Sequence, residues 1–468
     1  MSSRPNVIWV TLESTRADHT TMGGHDRDTT PNLAALANDD AGRSFDDCFA
    51  HGIWTLSSSA SILTGTYPSY HGAGMGAEAI PGSVPTIPER LRDAGYATAC
   101  FSPNSHLSSA TDLDRGFDRF EWVSSSSLTD AVDTRTLLKY ACNLRRHGGG
   151  LTLDPQKHTP DYLLNDRAKR WVRNTAGGDE PLFLYVHFGG PHRPYHPPRR
   201  LASRFCEEID TDVDAAYDRS LDVHDRLFEY VAKGCTLSDD EYAALSALYD
   251  GEIAHADEFV GDLVETVQDA LEDTIVVVTA DHGELFGEQG LLAHQIAVDD
   301  AVSHVPLVVH GSDALANVDA GPVQHADVMR TLLELADAPV DGLQGHDLRQ
   351  EKRDFAVIQR GGERARRNLD RIADLDDRFD PSRYHRAPLS AIRTGEFKLL
   401  YSEDAVDLYR LPDEETDVAA AYPNVAERLE SEIEDWLERT GRAASDEVEA
   451  SFSEDMESQL ADLGYIVE

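Results

Sequence analysis

Lysine is almost missing from this chain, and positive charge of any kind is scarce. Only six of the 468 residues are lysine, and 42 lysine and arginine residues together face 85 aspartate and glutamate residues, for a net charge of −43. A surface dominated by carboxylates repels polyanions, so nucleic acid and anionic membranes are poor partners, and we expect neither. Such self-repulsion is typical of adaptation to concentrated salt, so we expect a halophilic protein; the alternative is an acidic face for a cationic partner.

Paired cysteines and long apolar runs are also absent from the sequence. The five cysteines are widely spaced and none lies in a C-x-x-C pair, which indicates reduced thiols rather than a disulfide framework. No apolar run approaches the roughly 20 residues that a membrane-spanning helix needs. The first apolar run, at residues 6–10, is too short for a signal peptide. We therefore expect a cytoplasmic protein with no membrane anchor.

The sequence does contain a regular alternation of short apolar runs and helical patterns. The apolar runs predict strands buried on both faces of a mainly parallel sheet. They lie at residues 7–12, 97–101, 182–187, 275–279 and 305–309, and helical patterns lie between them at 31–37, 87–94 and 161–173. This alternation predicts an α/β layered fold.

The last quarter of the chain follows a different pattern. Short alternating runs at 355–358, 389–393, 397–401 and 406–411, followed by a helical pattern at 425–437, predict a small antiparallel sheet with a packed helix. We therefore divide the chain into a large α/β domain at 1–350, a C-terminal α+β subdomain at 351–442 and an acidic, partly mobile tail at 443–468. Residues 360–386 are predicted to be a surface loop, and the acidic helix predicted at 238–271 is expected to turn its carboxylates to solvent.

Side chains that could bind a metal follow two of the predicted strands. Glu13 follows the strand at 7–12, and Asp281 and His282 follow the strand at 275–279. Because ligand sites in open α/β sheets lie beyond the carboxyl ends of the strands, these side chains can converge on one divalent cation. The carboxylates suit Mg²⁺, Ca²⁺ or Mn²⁺, and the histidine favours Mn²⁺ or Zn²⁺. The alternative is that Asp281-His282-Gly283 is an ordinary polar turn.

A threonine lies at the start of a helix predicted through residues 58–64. Thr55 is in the first turn of that helix, where free backbone N–H groups and the helix dipole favour an anion. A hydroxyl, a metal and a bound tetrahedral anion are what transfer of a phosphoryl or sulfuryl group requires. The pattern therefore indicates a metal-assisted ester hydrolase with an alcohol nucleophile. The alternative is that Thr55 only caps the helix.

Two histidines and an arginine lie in loops at the same predicted sheet edge. His192 is in a Gly- and Pro-rich loop after the strand at 182–187, and His294 follows the glycine-rich residues 287–290. Each could bind the anion or protonate the leaving group, or could be merely exposed. Arg16 could contact the anion or form a structural pair with Asp18.

Taken in order, these residues resemble the sulfatase family of the alkaline-phosphatase superfamily. The matching segments are residues 5–7, 13–18, 29–33, 61–65, 67–68, 71–72, 191–192, 281–284, 287–288, 305–306 and 327–335. The resemblance implies an α/β/α sandwich, and attack on a sulfate or phosphate ester to give a covalent intermediate that water resolves. With it we expect one divalent cation held by Glu13, Thr55, Asp281 and His282, catalysis by Thr55, His192 and His294, and substrate binding by Arg16 and His71.

The chain departs from the sulfatase pattern at the nucleophile. Alignment on Gly65 puts Thr55, Ser57 and Ser59 where the family motif C-x-P-S-R has cysteine, proline and arginine, so formylglycine is not expected. The site looks more like the lipoteichoic-acid synthase and phosphoethanolamine transferase branch, whose threonine is unmodified and which handles phosphodiesters. We therefore predict hydrolysis or transfer of phosphate or sulfate esters of small molecules or glycans. Two alternatives stay open, a formylglycine-independent sulfuric ester hydrolase and a non-catalytic protein that binds an anion or glycan.

Overall fold

The structure, a computed structural model, describes residues 4–123, 146–147, 160–318, 320–440 and 449–463. In chain order the strands are β1 Asn6–Leu12, β2 Gly42–Ser44, β3 Cys48–Phe49, β4 Ala97–Ser102, β5 Arg119–Trp122, β6 Leu182–Phe188, β7 Thr274–Ala280, β8 Leu285–Phe286, β9 Leu292–Ala293, β10 Leu307–His310, β11 Val323–Gln324, β12 Ala356–Arg360, β13 Leu389–Arg393, β14 Phe397–Tyr401 and β15 Val406–Arg410. The helices are α1 Pro31–Asn38, α2 Thr55–Thr64, α3 Pro68–His71, α4 Ile87–Asp93, α5 Asp161–Thr175, α6 Arg199–Glu207, α7 Val213–Asp225, α8 Leu227–Ala232, α9 Asp239–Ala270, α10 Asp300–Ser303, α11 Asp313–Ala316, α12 His325–Leu335, α13 Gly362–Leu375, α14 Pro423–Arg439 and α15 Glu454–Asp462. Short 3₁₀ helices lie at Ala17–His19, Thr21–Gly23, Ser109–Thr111, Glu288–Gly290 and Pro381–Arg383.

Seven strands form a central, mainly parallel sheet in the order β2-β10-β7-β1-β6-β4-β5. β1 lies in the middle and pairs in parallel with β6 and β7, and β4 pairs in parallel with β6 and β5. β10 runs antiparallel to both β7 and β2. The five strands predicted from apolar runs all form, and the prediction of a mainly parallel sheet is confirmed.

Helices cover both faces of this sheet. Trp9 of β1 lies in one core with side chains of α2, α4 and α12. Val10, the next residue, lies in the other core with side chains of α1, α5 and α9. Because successive side chains of a strand point to opposite faces, a strand covered on both sides needs apolar residues at nearly every position. The predicted α/β/α sandwich is therefore confirmed.

A second sheet follows in the C-terminal part of the chain. β12 to β15 form four antiparallel strands, and α14 packs on them through Leu429, Ile433 and Trp436. This confirms the predicted antiparallel sheet and its helix, while the domain boundaries at residues 350 and 442 stay predictions. In the acidic tail, α15 contacts the large domain because the Gln459 side chain accepts a 3.1 Å hydrogen bond from the Ser105 N–H. The partial mobility of the tail also stays a prediction.

The predicted surface loop at 360–386 is wrong, because most of it is the helix α13. Ala365, Leu369 and Ile372 recur at helical spacing and are buried, with exposed fractions of at most 1%. These residues form an apolar stripe that packs on the protein, although the segment as a whole is rich in arginine and aspartate. Charge composition alone was therefore a poor guide to its structure.

The expectation that the carboxylates of the long acidic helix face solvent is also wrong for three of them. Asp250, Glu252 and Asp257 of α9 are all buried. Asp257, for example, accepts hydrogen bonds of 2.9 Å from the backbone N–H groups of Asn32 and Leu33, in the first turn of α1. A buried carboxylate at a helix N-terminus satisfies donors that have no partner within their own helix.

Two further observations concern the cysteines and the length of the helices. Cys48, Cys100, Cys206 and Cys235 are buried and free, and Cys142 lies outside the described residues. Within the described ranges, none of the helices combines the length and apolar character needed to cross a membrane.

Candidate active site

The candidate site lies at the carboxyl edge of the central sheet, beyond β1 and β7. Glu13 directly follows β1, and Asp281 and His282 directly follow β7, which is the parallel neighbour of β1. A 3.1 Å hydrogen bond from the backbone N–H of Ser14 to Asp281 Oδ1 joins the two strand ends. The three side chains are at most 2% exposed. Two segments far apart in the sequence therefore meet here, as the strand-end argument predicted.

Thr55, the first residue of α2, also lies beside Glu13 and His282. Its Oγ1 donates a 3.0 Å hydrogen bond to Glu13 Oε1 and lies 3.4 Å from His282 Nε2. The hydroxyl is fully buried, and the start of α2 supplies backbone N–H groups without partners in the helix. The four side chains predicted to share one cation thus lie together in the structure.

Asp281 and His282 show whether these residues fit a cation. Asp281 Oδ1 accepts hydrogen bonds from two backbone N–H groups, whereas Oδ2 is buried with no hydrogen-bond partner. His282 Nδ1 donates to the Gly283 carbonyl at 2.8 Å, and its Nε2 lies 3.5 Å from Asp281 Oδ2. A buried carboxylate oxygen without a hydrogen-bond donor is unfavourable unless a cation lies beside it. The oxygen and nitrogen donors present therefore fit a divalent metal ion.

Two further residues, Asn104 and His187, hold Glu13 and were missed by sequence reasoning. Asn104 Nδ2 donates to Glu13 Oε1 at 2.7 Å, and His187 Nε2 lies 3.3 Å from Glu13 Oε2. Ligand atoms of Glu13, His187 and Asp281 all lie within 4.8 Å of one another. Burial opposes a charge on His187, but the contact with Glu13 outweighs it and raises the pKa of the ring. Both residues lie at the carboxyl ends of β4 and β6, so the strand-end rule could have found them.

His294 and His192 lie beside the four ligands, His294 in tilted contact with the His282 ring and His192 edge-to-face with His294. The ring centroids of His282 and His294 are 4.3 Å apart, and those of His192 and His294 are 5.3 Å apart. His192 Nδ1 donates to the Arg193 carbonyl at 2.7 Å, which leaves Nε2 as an acceptor. Burial lowers the pKa of both His192 and His294 well below the usual value, so both rings are neutral at pH 7.

Glu284 supports His294 from within the protein and was not singled out from the sequence. Glu284 Oε1 lies 3.0 Å from His294 Nδ1, and both side chains are buried. Burial raises the pKa of the Glu284 carboxyl to about 8. A hydrogen bond of this kind fixes which ring nitrogen of a histidine faces the reaction.

Arg16 and His71, the two predicted substrate contacts, are engaged within the protein. Arg16 forms ion pairs of 2.7 Å with Asp18 and 2.6 Å with Glu288, which is the structural pairing that the sequence left open. His71 Nε2 lies 3.0 Å from Ser61 Oγ, and its Nδ1 accepts a hydrogen bond from the Ala73 N–H. Because both ring nitrogens of His71 are used and the side chain is fully buried, the structure gives no support to a role in substrate binding.

A second group of ligand-type side chains within the described part of the chain is centred on Asp250 of α9. His19 and His25 donate to opposite oxygens of Asp250 at 2.7 and 3.0 Å. The guanidinium of Arg27 also binds Asp250, so positive charge already lies beside the carboxylate. Burial opposes ionisation of Asp250, but the hydrogen bonds from the two histidines outweigh it and hold its pKa well below the usual value. We assign no cation here, and one ion stays the prediction.

Comparison with known proteins adds to this geometry. The family model for sulfatases matches residues 5–338. The uncharacterized sulfatase YidJ of Escherichia coli (strain K12) is 25% identical over 348 residues, which cover 71% of this chain and 68% of that protein. The choline-sulfatase of Rhizobium meliloti (strain 1021) is 26% identical over 444 residues, which cover 89% of this chain and 81% of that protein.

Among solved structures, a phosphonate monoester hydrolase of Agrobacterium radiobacter has a similar fold. The TM-score is 0.71 at 21% sequence identity, over 93% of this chain and 95% of that one. At this level of identity the likeness shows the fold, and the chemistry has to be argued from the side chains described above.

Proposed function

Because the chain belongs to the sulfatase family, we propose that this ester hydrolase cleaves phosphate or sulfate esters with Thr55 as its nucleophile and one divalent cation as its cofactor. One observation carries the proposal. Thr55 Oγ1 lies at a helix start, 3.0 Å from Glu13 Oε1 and 3.4 Å from His282 Nε2, in a fully buried setting. A hydroxyl that only capped its helix would not need two metal-type ligands as neighbours.

Glu13, Asp281, His282 and Thr55 would hold the cation. When bound, a divalent ion supplies Lewis-acid chemistry, in that it lowers the pKa of a coordinated hydroxyl and neutralises charge on the transferred group. Asn104 and His187 keep the two oxygens of Glu13 in place through their hydrogen bonds. The identity of the ion stays open among Mn²⁺, Mg²⁺, Ca²⁺ and Zn²⁺, because carboxylate and imidazole donors accommodate all four.

Thr55 performs the first bond exchange. Its Oγ1 attacks the phosphorus or sulfur atom, a new bond to Oγ1 forms, and the bond to the leaving oxygen breaks. The hydrogen bond to Glu13 Oε1 fixes the rotamer of the hydroxyl and directs a lone pair to the ester. Backbone N–H groups at the start of α2 bind the anionic oxygens of the transferred group. Water then attacks the threonine ester, releases phosphate or sulfate and restores the hydroxyl.

His192 and His294 serve the proton transfers. With Nδ1 bound to the Arg193 carbonyl, His192 can take at Nε2 the proton that Thr55 Oγ1 loses as it attacks, and give it to the leaving oxygen as that bond breaks. Glu284 Oε1 lies 3.0 Å from Nδ1 of His294 and thereby orients the ring of this second histidine. Neutral rings also avoid repelling the cation in a site that is otherwise rich in carboxylates.

Phosphate esters are favoured over sulfate esters because the nucleophile is an unmodified threonine. Ser57 and Ser59 occupy the positions at which the family motif has proline and arginine, and Thr55 has no route to formylglycine. The body of the substrate is a small molecule or a glycan; the choline-sulfatase relative is named for a small-molecule ester.

The test compares Thr55→Ala with Thr64→Ala, which makes the same change at the far end of α2. Thr64 Oγ1 bonds only to positions close in the chain, Ala60 and Thr66. With Mn²⁺ present and in high KCl, 4-nitrophenyl phosphate, bis(4-nitrophenyl) phosphate and 4-nitrophenyl sulfate are assayed. We expect Thr55→Ala to lower kcat by about 10³-fold or more while metal content stays within a factor of two. Thr64→Ala keeps the wild-type rate.

Each outcome has a clear meaning. Turnover of the sulfate alone assigns a sulfuric ester hydrolase that works without formylglycine, and binding of the esters without turnover assigns an anion-binding protein. Unchanged turnover in Thr55→Ala would remove the threonine from the mechanism. Intact-mass analysis of enzyme quenched during turnover shows whether a phosphoryl or a sulfuryl group is attached to Thr55.

A further inference from the structure

A cavity of about 630 Å³ lies next to the candidate active site. Its wall includes Trp54 and Gln295, which are the chain neighbours of Thr55 and His294. It also includes His106, two residues beyond the Asn104 that binds Glu13. Three residues of the cavity wall therefore lie within two chain positions of residues that form the site.

One side of the cavity is a stripe of arginines on α13. Arg364, Arg367 and Arg371 line it, at spacings of three and four residues that put them on one face of the helix. Asn368 belongs to the same face, and its Nδ2 donates a 2.7 Å hydrogen bond to Gln295 Oε1. This bond and the buried apolar stripe on the opposite face fix the rotation of α13, so the arginines face the cavity.

Aromatic rings position two of these guanidinium groups. The Arg364 guanidinium carbon lies 4.3 Å from the centroid of the Trp54 ring, and that of Arg371 lies 4.5 Å from the centroid of Phe228. Cation–π contacts of this kind hold the side chain while leaving N–H donors at its edge. The arginine stripe therefore begins beside Trp54, the chain neighbour of Thr55.

The stripe is unusual in a chain whose net charge is −43. Elsewhere in the same region arginine is paired; Arg378, for example, lies 2.6 Å from Asp376. In the described part of the chain, Arg367 and Arg371 take part in no ion pair, although Glu78 and Glu363 also line the cavity. Three arginines against two glutamates make this cavity more positive than the surface around it.

We propose that this cavity is a subsite for a second anionic group of the substrate, so that the enzyme prefers esters whose body carries a further phosphate, sulfate or carboxylate. Guanidinium groups bind all three through paired, charge-assisted hydrogen bonds. The acidic composition repels polyanions in general. The arginines of the cavity therefore attract an anionic substrate locally, next to the site where it would react. The inference rests on the proposed function, because it takes Thr55 as the point at which the ester is attacked.

The test measures binding separately from turnover. Glucose 6-phosphate and glucose 1,6-bisphosphate are titrated calorimetrically into metal-loaded Thr55→Ala protein at fixed ionic strength, and glucosamine monosulfate and disulfate are titrated in the same way. We expect the doubly charged ligand of a pair to bind about tenfold more tightly. The preference disappears in a protein that also carries Arg367→Gln and Arg371→Gln. It stays when Arg366→Gln is introduced instead, since Arg366 is exposed on the same helix and does not line the cavity.

Equal affinity for the singly and doubly charged ligands would overturn the proposal, and so would a preference that survives the double arginine substitution. Failure of the proposed function gives a different result. If the wild-type protein cleaves no ester but Arg367 and Arg371 still confer the tenfold preference, the subsite stands and the reaction is wrong. If simple esters are cleaved and the preference is absent, the reaction stands and the subsite is wrong.

Discussion

Lys398 offers the sharpest test of what joins the C-terminal sheet to the large domain. It lies on β14, is fully buried, and donates to Asp300 Oδ1 at 2.9 Å and to Glu414 Oε2 at 2.6 Å. Asp300 begins α10, a few residues after His294, so the ammonium group connects the small sheet with a segment next to the active site. We predict that Lys398→Met destabilises the protein severely.

The magnitude follows from burial and charge. Burial opposes the ammonium, but Asp300 and Glu414 outweigh it and raise the pKa of Lys398, while burial raises the pKa of Glu414 to about 7. Removing the cation leaves the buried carboxylate of Glu414 uncompensated and leaves Asp300 with Arg393, at 3.1 Å, as its remaining cationic partner, which costs about 3–5 kcal/mol of unfolding free energy. The lower end of the range applies if Glu414 takes up a proton, as its raised pKa allows.

Lys233→Met is the matched control for this prediction. Lys233 pairs with Glu229 at 3.6 Å on the surface, with both side chains more than two-fifths exposed, and we expect a loss of at most about 1 kcal/mol. Urea unfolding at pH 7, followed by circular dichroism, gives the two free energies. A second variant, Lys398→Met with Glu414→Gln, recovers part of the loss because one stranded charge is gone. If Lys398→Met costs no more than Lys233→Met, the argument from buried charge is wrong.

Three further predictions concern the site and its surroundings. Glu284→Ala lowers kcat about tenfold because Nδ1 of His294 loses its partner, and Glu284→Asp restores part of the rate; reduced metal content in Glu284→Ala would show a different role. Asn104→Ala weakens Mn²⁺ binding by 10- to 100-fold in a calorimetric titration, since Glu13 loses a support; unchanged affinity contradicts this. Asp250→Asn makes the unfolding free energy depend less on pH in the acid range. The folded pKa of Asp250 lies below the unfolded value of about 3.9, so its contribution is complete above about pH 5 and is lost as the pH falls through the folded pKa. Urea midpoints of the two proteins should therefore differ at pH 7 and converge in strong acid.

Much of the site could be predicted because parallel sheets put functional groups at one edge. Glu13, Asp281 and His282 were found by their places after apolar runs, which is a property of local sequence. The 3.0 Å contact of Thr55 with Glu13 is a tertiary property, and only the resemblance to a family indicated it. His187 was missed because it lies within the apolar run at 182–187, whereas the strand-end argument was applied only to residues that follow a run.

The helix α13 shows why some elements could not be predicted from the sequence. Its arginines and aspartates dominate the composition, and the buried stripe of Ala365, Leu369 and Ile372 is carried by only three small or apolar positions. The direction in which Arg367 and Arg371 point depends on what that stripe packs against, which local sequence does not contain. Buried Asp257 was misjudged for the same reason, since its partners belong to α1, more than 200 residues away.

The distances along the chain between the site residues have a consequence for refolding. The hydrogen bond from Ser14 to Asp281 closes a separation of 267 residues, and the contact of Thr55 with His282 closes one of 227. Contacts of such high sequence separation form slowly, because the entropy of closing a long loop is lost before they stabilise anything. Turnover should thus be among the last signals to return after dilution from denaturant, with helical ellipticity well ahead of it. A rate assay on this enzyme is therefore a stringent measure of how much of a preparation is truly native.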